Sequence, residues 1–339
     1  KFLQAIKCKK TLKKECLKPS QSHSQNDPQD MKLSLAYLAV VFIWATTPLA
    51  IQWSGQDHWF VGVAGRIFIS ALLVIPIVVW VSRQPFQWHR AAFKVYFAAA
   101  LGMLGGMTPM YYAAQTMPSG WISLIFGLTP MFIGLLASFL LAHTRIYPTQ
   151  WLGIGVSLVG LSVVLAPQWR TLSSAQWDAS MLGPGVMLAI LAAFSHSLST
   201  VWVKRFNQAV QLPHTHIVAA AVWLTSGVYL AVHPEVISAF ETLSAQSMGA
   251  ILYLGVFGSL FGFMLYYYVL NHVAAVKIGL IPLITPLMAL ALGATWNHEP
   301  LNHWVILGAG LVLTGLVVFE YGHRVPSAKM LRLISQRLF

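Results

Sequence analysis

The sequence predicts an all-α membrane protein, with ten transmembrane helices arranged as two inverted five-helix repeats. Composition, internal repetition and the placement of charge each point there. Of 339 residues, 57% are hydrophobic and 9% charged, and the mean hydropathy is +0.67. Soluble domains carry about 25% charged residues, so most of this surface must face lipid or protein. Gly102, Gly106, Tyr111, Tyr112, Thr129 and Pro130 recur 156 positions later as Gly258, Gly262, Tyr267, Tyr268, Thr285 and Pro286. At a shift of 155 the match resumes, Gly153, Gly155 and Gly160 returning as Gly308, Gly310 and Gly315.

A helix needs about 20 apolar residues to cross a bilayer. Windows that qualify fall near 33–53, 60–81, 95–114, 119–141, 149–167, 183–204, 215–233, 248–270, 275–296 and 303–320; they are spans 1 to 10 below. Transmembrane β-strands would alternate in shorter segments, which these long runs do not. Residues 1–30 are expected to be a disordered basic tail, non-native or upstream of a true start at Met31. Residues 31–170 form the first five-helix repeat, 180–322 the second, and 323–339 a basic cytoplasmic tail. Cys8 and Cys16, the two cysteines, fall in the leading tail, so the membrane body carries no thiol chemistry.

A net charge of +12 would suit nucleic acid, but its location argues for a lipid bilayer as the partner. Seven of the 21 Lys and Arg precede residue 31. Others occupy alternate short loops at Arg83, Arg90, Lys94, Arg145, Lys204 and Arg205, with Arg324, Lys329, Arg332 and Arg337 at the end. The intervening loops hold Arg170 and the acids Asp57, Asp178, Glu235, Glu241 and Glu299. This positive-inside bias predicts a multi-pass protein of the inner (plasma) membrane with both termini cytoplasmic. Five spans per repeat force the second to insert upside down relative to the first. Duplicated helical units of this kind are the ground plan of secondary transporters, which bind cargo between repeats.

Gly102-x-x-x-Gly106 and Gly258-x-x-x-Gly262 each put two glycines on one helix face, where a neighbouring helix can approach closely. The glycines of spans 5 and 10 predict another tight contact, between the two halves or between protomers of a homodimer. Trp44 in span 1, the Thr-Pro pairs at 129–130 and 285–286, and Glu299-Pro300-Leu301 before a glycine-rich tenth span resemble the EamA-type branch of the drug/metabolite transporter superfamily. The resemblance covers roughly residues 33–322. It implies export or exchange of a small-molecule substrate, such as an amino acid, metabolite or drug, by alternating access without a nucleotide. The chain departs from it at His143, where the repeat would place an acid opposite Glu299, and at His196, where the family often shows Trp.

Several side chains are candidates for the substrate site. Pro130 and Pro286 should interrupt spans 4 and 9 at mid-depth, each freeing a carbonyl four residues back. Matching helix breaks in two repeats point to a transport site, and a structural kink is the competing reading. Tyr111 with Gln115, and Tyr267 with Asn271, are i, i+4 pairs that stack a phenol and a carboxamide on one face. Arg66 lies about two turns inside span 2, where burying its charge costs at least ~2.5 kcal/mol. It either grips a carboxylate or phosphate, or snorkels to the outer interface. Lys277, at the repeat position of Trp121, presents the same choice. Trp44 and Thr47 of span 1 align with His196 and Ser199 of span 6; Trp44 offers an aromatic wall, His196 a mid-span imidazole.

No span carries an acid at mid-depth, so any proton coupling would fall to His196, Glu299 or Glu320. No cofactor or metal is called for. His298 and His303 stand five apart across Pro300, not on the i, i+4 helix face a zinc protease needs. No phosphate-cradling loop or nucleophile elbow occurs, so an enzyme is not expected. A flippase for lipid or a lipid-linked substrate remains open, as do a channel and an intramembrane enzyme, each less favoured than a carrier.

Overall fold

Lipid leaves a backbone no partners but its own, so each apolar run must close its hydrogen bonds internally. The computed structural model, which describes residues 28–82, 84–141, 146–171, 179–272 and 281–322, is helical throughout with no strand among those residues. In chain order the helices are α1 Pro28–Ser54, α2 Trp59–Pro76, α3 Arg90–Ala113, α4 Ser119–Phe126, α5 Thr129–Leu140 and α6 Pro148–Thr171. The second half supplies α7 Ala179–Val210, α8 His214–Val232, α9 Ala245–Tyr253, α10 Gly262–His272, α11 Ile281–Trp296 and α12 His303–Tyr321. Among the described residues nine helices, with α4–α5 and α9–α10 each counted as one, are long and apolar enough to cross a membrane. The shorter apolar helix Ile281–Trp296 falls in the remaining window, whose first residues lie outside the described ones.

Polar residues at helix starts satisfy donors the ladder leaves over. His58 accepts from Val61 N, His89 from Ala92 N, Ser244 from Ser247 N and Asn302 from Val305 N. Span 4 divides at Gly127 and Leu128, and Pro130 opens α5 in its first turn, where a missing N–H costs nothing. Pro286 behaves differently from expectation: α11 runs through it without interruption. The residue two before Thr129 is Gly127, whereas the residue two before Thr285 is Leu283. Glycine is about 1 kcal/mol worse than alanine in a helix interior, so span 4 breaks where span 9 only loses one bond. The break still faces the proline, since a Cβ on Gly127 would lie 3.4 Å from Pro286 Cγ.

The most extensive helix contacts are α3 with α7 and α6 with α12. Further pairings relate to one another by exchange of the halves. α1 packs along α9–α10 as α7 packs along α3, and α1 against α11 as α7 against α5. α2 lies against the start of span 8 as α8 lies against α3. At the α6–α12 crossing the glycines interlock. A Cβ on Gly153 would sit 2.6 Å from Gly315 O, and one on Gly160 2.7 Å from Gly308 O. Ser157 Oγ donates to Val312 O across the same crossing (3.0 Å). The ladder therefore joins the two halves within the chain. Gly155 and Gly310 point into open space.

Candidate functional site

Two seams run between the halves, and they match residue by residue. In one, Gly102 of α3 abuts the Ser199 side chain and Gly106 abuts His196, 3.2 Å from its Cβ. In the other, Gly258 lies 3.7 Å from Thr47 Oγ1 and Gly262 3.4 Å from Trp44 Nε1, all measured to the Cβ a side chain would bring. Each glycine admits the counterpart of the other's neighbour. Close approach in lipid gains dispersion contact that side chains would block.

The second seam differs in holding Arg66. α2 carries this residue inward, where it is 4% exposed rather than reaching to an interface. Its Nε donates to Ser259 Oγ (2.8 Å), and a Cβ on the adjacent Gly258 would lie 3.4 Å from Nη2. Ser259 belongs to a π-helical stretch, Leu254–Phe261, that joins α9 to α10. Such bulges widen the helix and recur at functional sites. Ser70 Oγ fastens the two helices, donating to Arg66 O (2.8 Å) and Gly255 O (3.2 Å).

Three phenols lie within electrostatic reach of the guanidinium: Tyr111, Tyr229 and Tyr253. Each is tethered by a hydroxyl of another helix. Ser54 Oγ donates to Tyr111 OH (3.4 Å), while Thr108 pairs with Tyr229 (2.8 Å) and Thr46 with Tyr253 (2.5 Å). Phenols are uncharged at neutral pH and offer both a donor and an acceptor. Among the described residues no carboxylate pairs with Arg66; the recorded ion pair is His233–Glu235, in an exposed connection.

The remaining predicted residues fall as follows. Trp44 is half-buried, its ring tilted on Tyr266 at 4.8 Å, and Thr47 Oγ1 bonds back to Ile43 O (2.7 Å). His196 packs against Phe126, the last residue before the break in span 4. Trp121 is buried with its indole Nε1 lacking a partner. Gln115 is exposed, its Nε2 donating to the backbone oxygen of Tyr111 (3.4 Å). The side chains of Tyr267 and Asn271, and Lys277 entirely, lie outside the described residues. Ser259, Ser54, Tyr229 and Tyr253 were not foreseen; a serine beside a Gly-x-x-x-Gly glycine was the available signal for the first.

At one end of the bundle polar groups tie several helices together. The Glu299 carboxylate accepts from Ser119 N (2.9 Å) and Gly120 N (3.2 Å), capping α4, and from Asn297 Nδ2 (3.2 Å). Asn297 Nδ2 also donates to Gln52 Oε1 (2.8 Å), and Trp53 Nε1 to Asn297 Oδ1 (3.2 Å). Beside them Ser244 N donates to Asp57 (2.8 Å) and Ser247 Oγ to Trp53 O (3.1 Å). Hydrogen bonds from Ser247 and then Ser244 hold the Asp57 carboxyl below the usual carboxylate range. The ends of spans 1 and 9 and the starts of spans 4 and 8 are thus tied together. No group of His, Cys, Asp and Glu among the described residues could hold a metal ion.

The family model described as the EamA-like transporter family matches this chain twice, over residues 31–166 and 183–321. The uncharacterised transporter YoaV of Bacillus subtilis is 26% identical over 303 residues, covering 87% of this chain and 99% of that protein. A probable amino-acid metabolite efflux pump of Salmonella typhimurium is 24% identical over 304 residues, covering 85% and 94%. The uncharacterised inner membrane transporter YedA of Escherichia coli K12 is 24% identical over 304 residues, covering 87% and 92%. A solved crystal structure superposes with a TM-score of 0.60 at 20% identity, covering 88% of this chain and 99% of that one.

Proposed function

This chain belongs to the EamA-like transporter family, and from that premise we propose that it is a secondary transporter, an exporter or exchanger moving small metabolites by alternating access. Family membership makes it a multi-pass membrane transporter; the cargo class and the mechanism are our reading. One observation carries them: the Gly102–Ser199 and Gly106–His196 contacts have repeat counterparts in Gly258–Thr47 and Gly262–Trp44. Equivalent seams between inverted halves are what a carrier needs, because rocking one half against the other exchanges their roles. With both termini cytoplasmic, the end held by Glu299, Asn297 and Gln52 is the outer one, and it is closed. The cargo site then lies between the seams, among Arg66, Tyr111, Tyr253, Trp44 and His196.

A second reading has one observation in its favour. An open groove of about 460 Å³ on the side of the bundle is lined by Arg90, Phe93, Lys94, Phe97, Trp202 and Phe206, and its apolar floor suits a lipid. Purified protein in proteoliposomes separates the two. The carrier predicts saturable counterflow of a labelled small metabolite against its unlabelled form. A flippase predicts loss of a fluorescent phospholipid's protection from an impermeant quencher, with no counterflow. Flux that never saturates would favour a channel and overturn both.

A further inference from the structure

We infer that Arg66 is the anion subsite of this transporter and that its cargo carries a carboxylate, as in small organic acids and amino acids. The inference rests on the transporter reading and names the substrate class. A buried guanidinium is an expensive thing to keep: an ion without a partner costs several kcal/mol, so buried charges are paired or have a ligand. Here the charge is 4% exposed, and the described residues meet it with neutral hydroxyls, at Ser259 and Tyr111, and with no carboxylate. With no counter-charge among the described residues, we assign that role to the cargo.

Repeat symmetry sharpens the point. The seam glycines, Thr47 and Ser199, and Trp44 and His196 all have counterparts, but Arg66 has none. Its equivalent stretch in span 7, residues 218–222, reads Val-Ala-Ala-Ala-Val, and Ser259 corresponds to Met103. Packing is therefore achieved once without the cation, and the other half adds it for a different purpose. The surroundings are built to present it. Ser259 fixes Nε, the glycine at 258 keeps side chains away from Nη2, and the tethered phenols of Tyr111 and Tyr253 supply neutral O–H groups.

The charges among the described residues favour a carboxylate. Lys32, Arg90, Lys94, Lys204 and Arg205, the other Lys and Arg whose side chains are described, are all exposed at helix ends. One guanidinium balances one carboxylate and meets its two oxygens with two parallel N–H groups. A phosphate monoester brings a charge of about −1.5 to −2 and calls for a second cation. An amine without a carboxylate would meet a like charge.

The test uses the full chain, purified and ligand-free, with three probes on matched carbon skeletons: leucine, 4-methylpentanoate and 3-methylbutylamine. Melting temperature is recorded against probe concentration. Leucine or 4-methylpentanoate is expected to stabilise the protein saturably and the amine is not. In Arg66→Gln this shift disappears, while the ligand-free melting temperature stays level or rises because an uncompensated charge is gone. In Arg66→Lys the point charge remains without the fork, and the shift requires about tenfold more probe or beyond. If Arg66→Gln does not yield folded protein, the Lys variant decides: an unchanged concentration dependence overturns the proposal. Stabilisation by no carboxylate, equal stabilisation by the amine, or a shift retained in Arg66→Gln overturns it too. Counterflow of the same probes is scored separately. A carboxylate-dependent shift without counterflow would keep the subsite and remove the transporter reading.

Discussion

The α3–α7 seam and the α1–α10 seam are the same contact built twice, and their difference is more informative than their likeness. Both place a glycine against a hydroxyl residue, Gly102 on Ser199 and Gly258 beside Thr47, and another against a ring residue, Gly106 on His196 and Gly262 beside Trp44. The first seam runs along an uninterrupted α-helix. The second passes a π-helical stretch at Leu254–Phe261 and takes in Arg66 on Ser259. What is common to both copies makes the helices approach. What one copy has alone carries a charge into the bundle at a cost in stability, which packing does not explain. The Thr-Pro pairs repeat the lesson: α11 accommodates Pro286, while span 4 opens at Gly127 in front of it.

Breaking the shared framework should have the largest effect. In Gly153→Leu the new Cβ would stand 2.6 Å from Gly315 O and 2.7 Å from Phe319 N, backbone atoms that cannot step aside. Overpacking of this kind costs about 1–3 kcal/mol, so the variant should melt lower or fail to give monodisperse protein in size-exclusion chromatography. Next comes the element present in one seam only. Ser259→Ala strips the buried guanidinium Nε of its acceptor, at about 1–3 kcal/mol, whereas Met103→Leu at the equivalent position should stay within about 1.5 kcal/mol. Equal losses in the two variants, read as melting temperature, would erase the distinction between the seams.

Glu299→Gln tests the tie at the closed end. The amide still accepts one N–H from α4 but loses the charge at that helix start, about 0.3–1 kcal/mol. Asp57 should act through pH. Its carboxyl is held below the ordinary range by Ser247 and Ser244, so its stabilisation is complete above the unfolded carboxylate pKa and fades as pH falls through the lower folded value. Wild type and Asp57→Ala should therefore converge in melting temperature toward pH 3 and separate above pH 5, with the convergence absent if the pairing is idle. Smallest of all should be Gly310→Leu, since that face meets nothing within 4 Å. A change of more than about 0.5 kcal/mol would mean the surface is covered, for instance by a second protomer.

The helical spans and the tight glycine contacts could be read from the sequence because both leave periodic marks. Arg66 could be singled out as the strong cation inside span 2, and the fold places it inward, 4% exposed. Its surroundings left no such mark. Ser259, Ser54 and Tyr253 are isolated hydroxyls in apolar runs, and only the fold brings Ser259 to a residue 193 positions away. The partners of Glu299 are backbone N–H groups of Ser119 and Gly120, which every residue possesses and no pattern advertises. The exposure of Gln115 was hidden for a related reason: i, i+4 spacing sets a shared face, but α3 ends at Ala113, before the carboxamide.

Alternating access itself can be tested at the closed end. Gln52 and Asn297 are hydrogen-bonded there at 2.8 Å, and serine can replace Cys8 and Cys16 so that introduced thiols stand alone. In the Gln52→Cys/Asn297→Cys variant, a short thiol cross-linker should stop saturable counterflow in proteoliposomes, and reduction should restore it. The two single-cysteine variants treated alike should keep transporting. Undiminished counterflow by fully cross-linked protein would show that this end need not open, and would contradict the account.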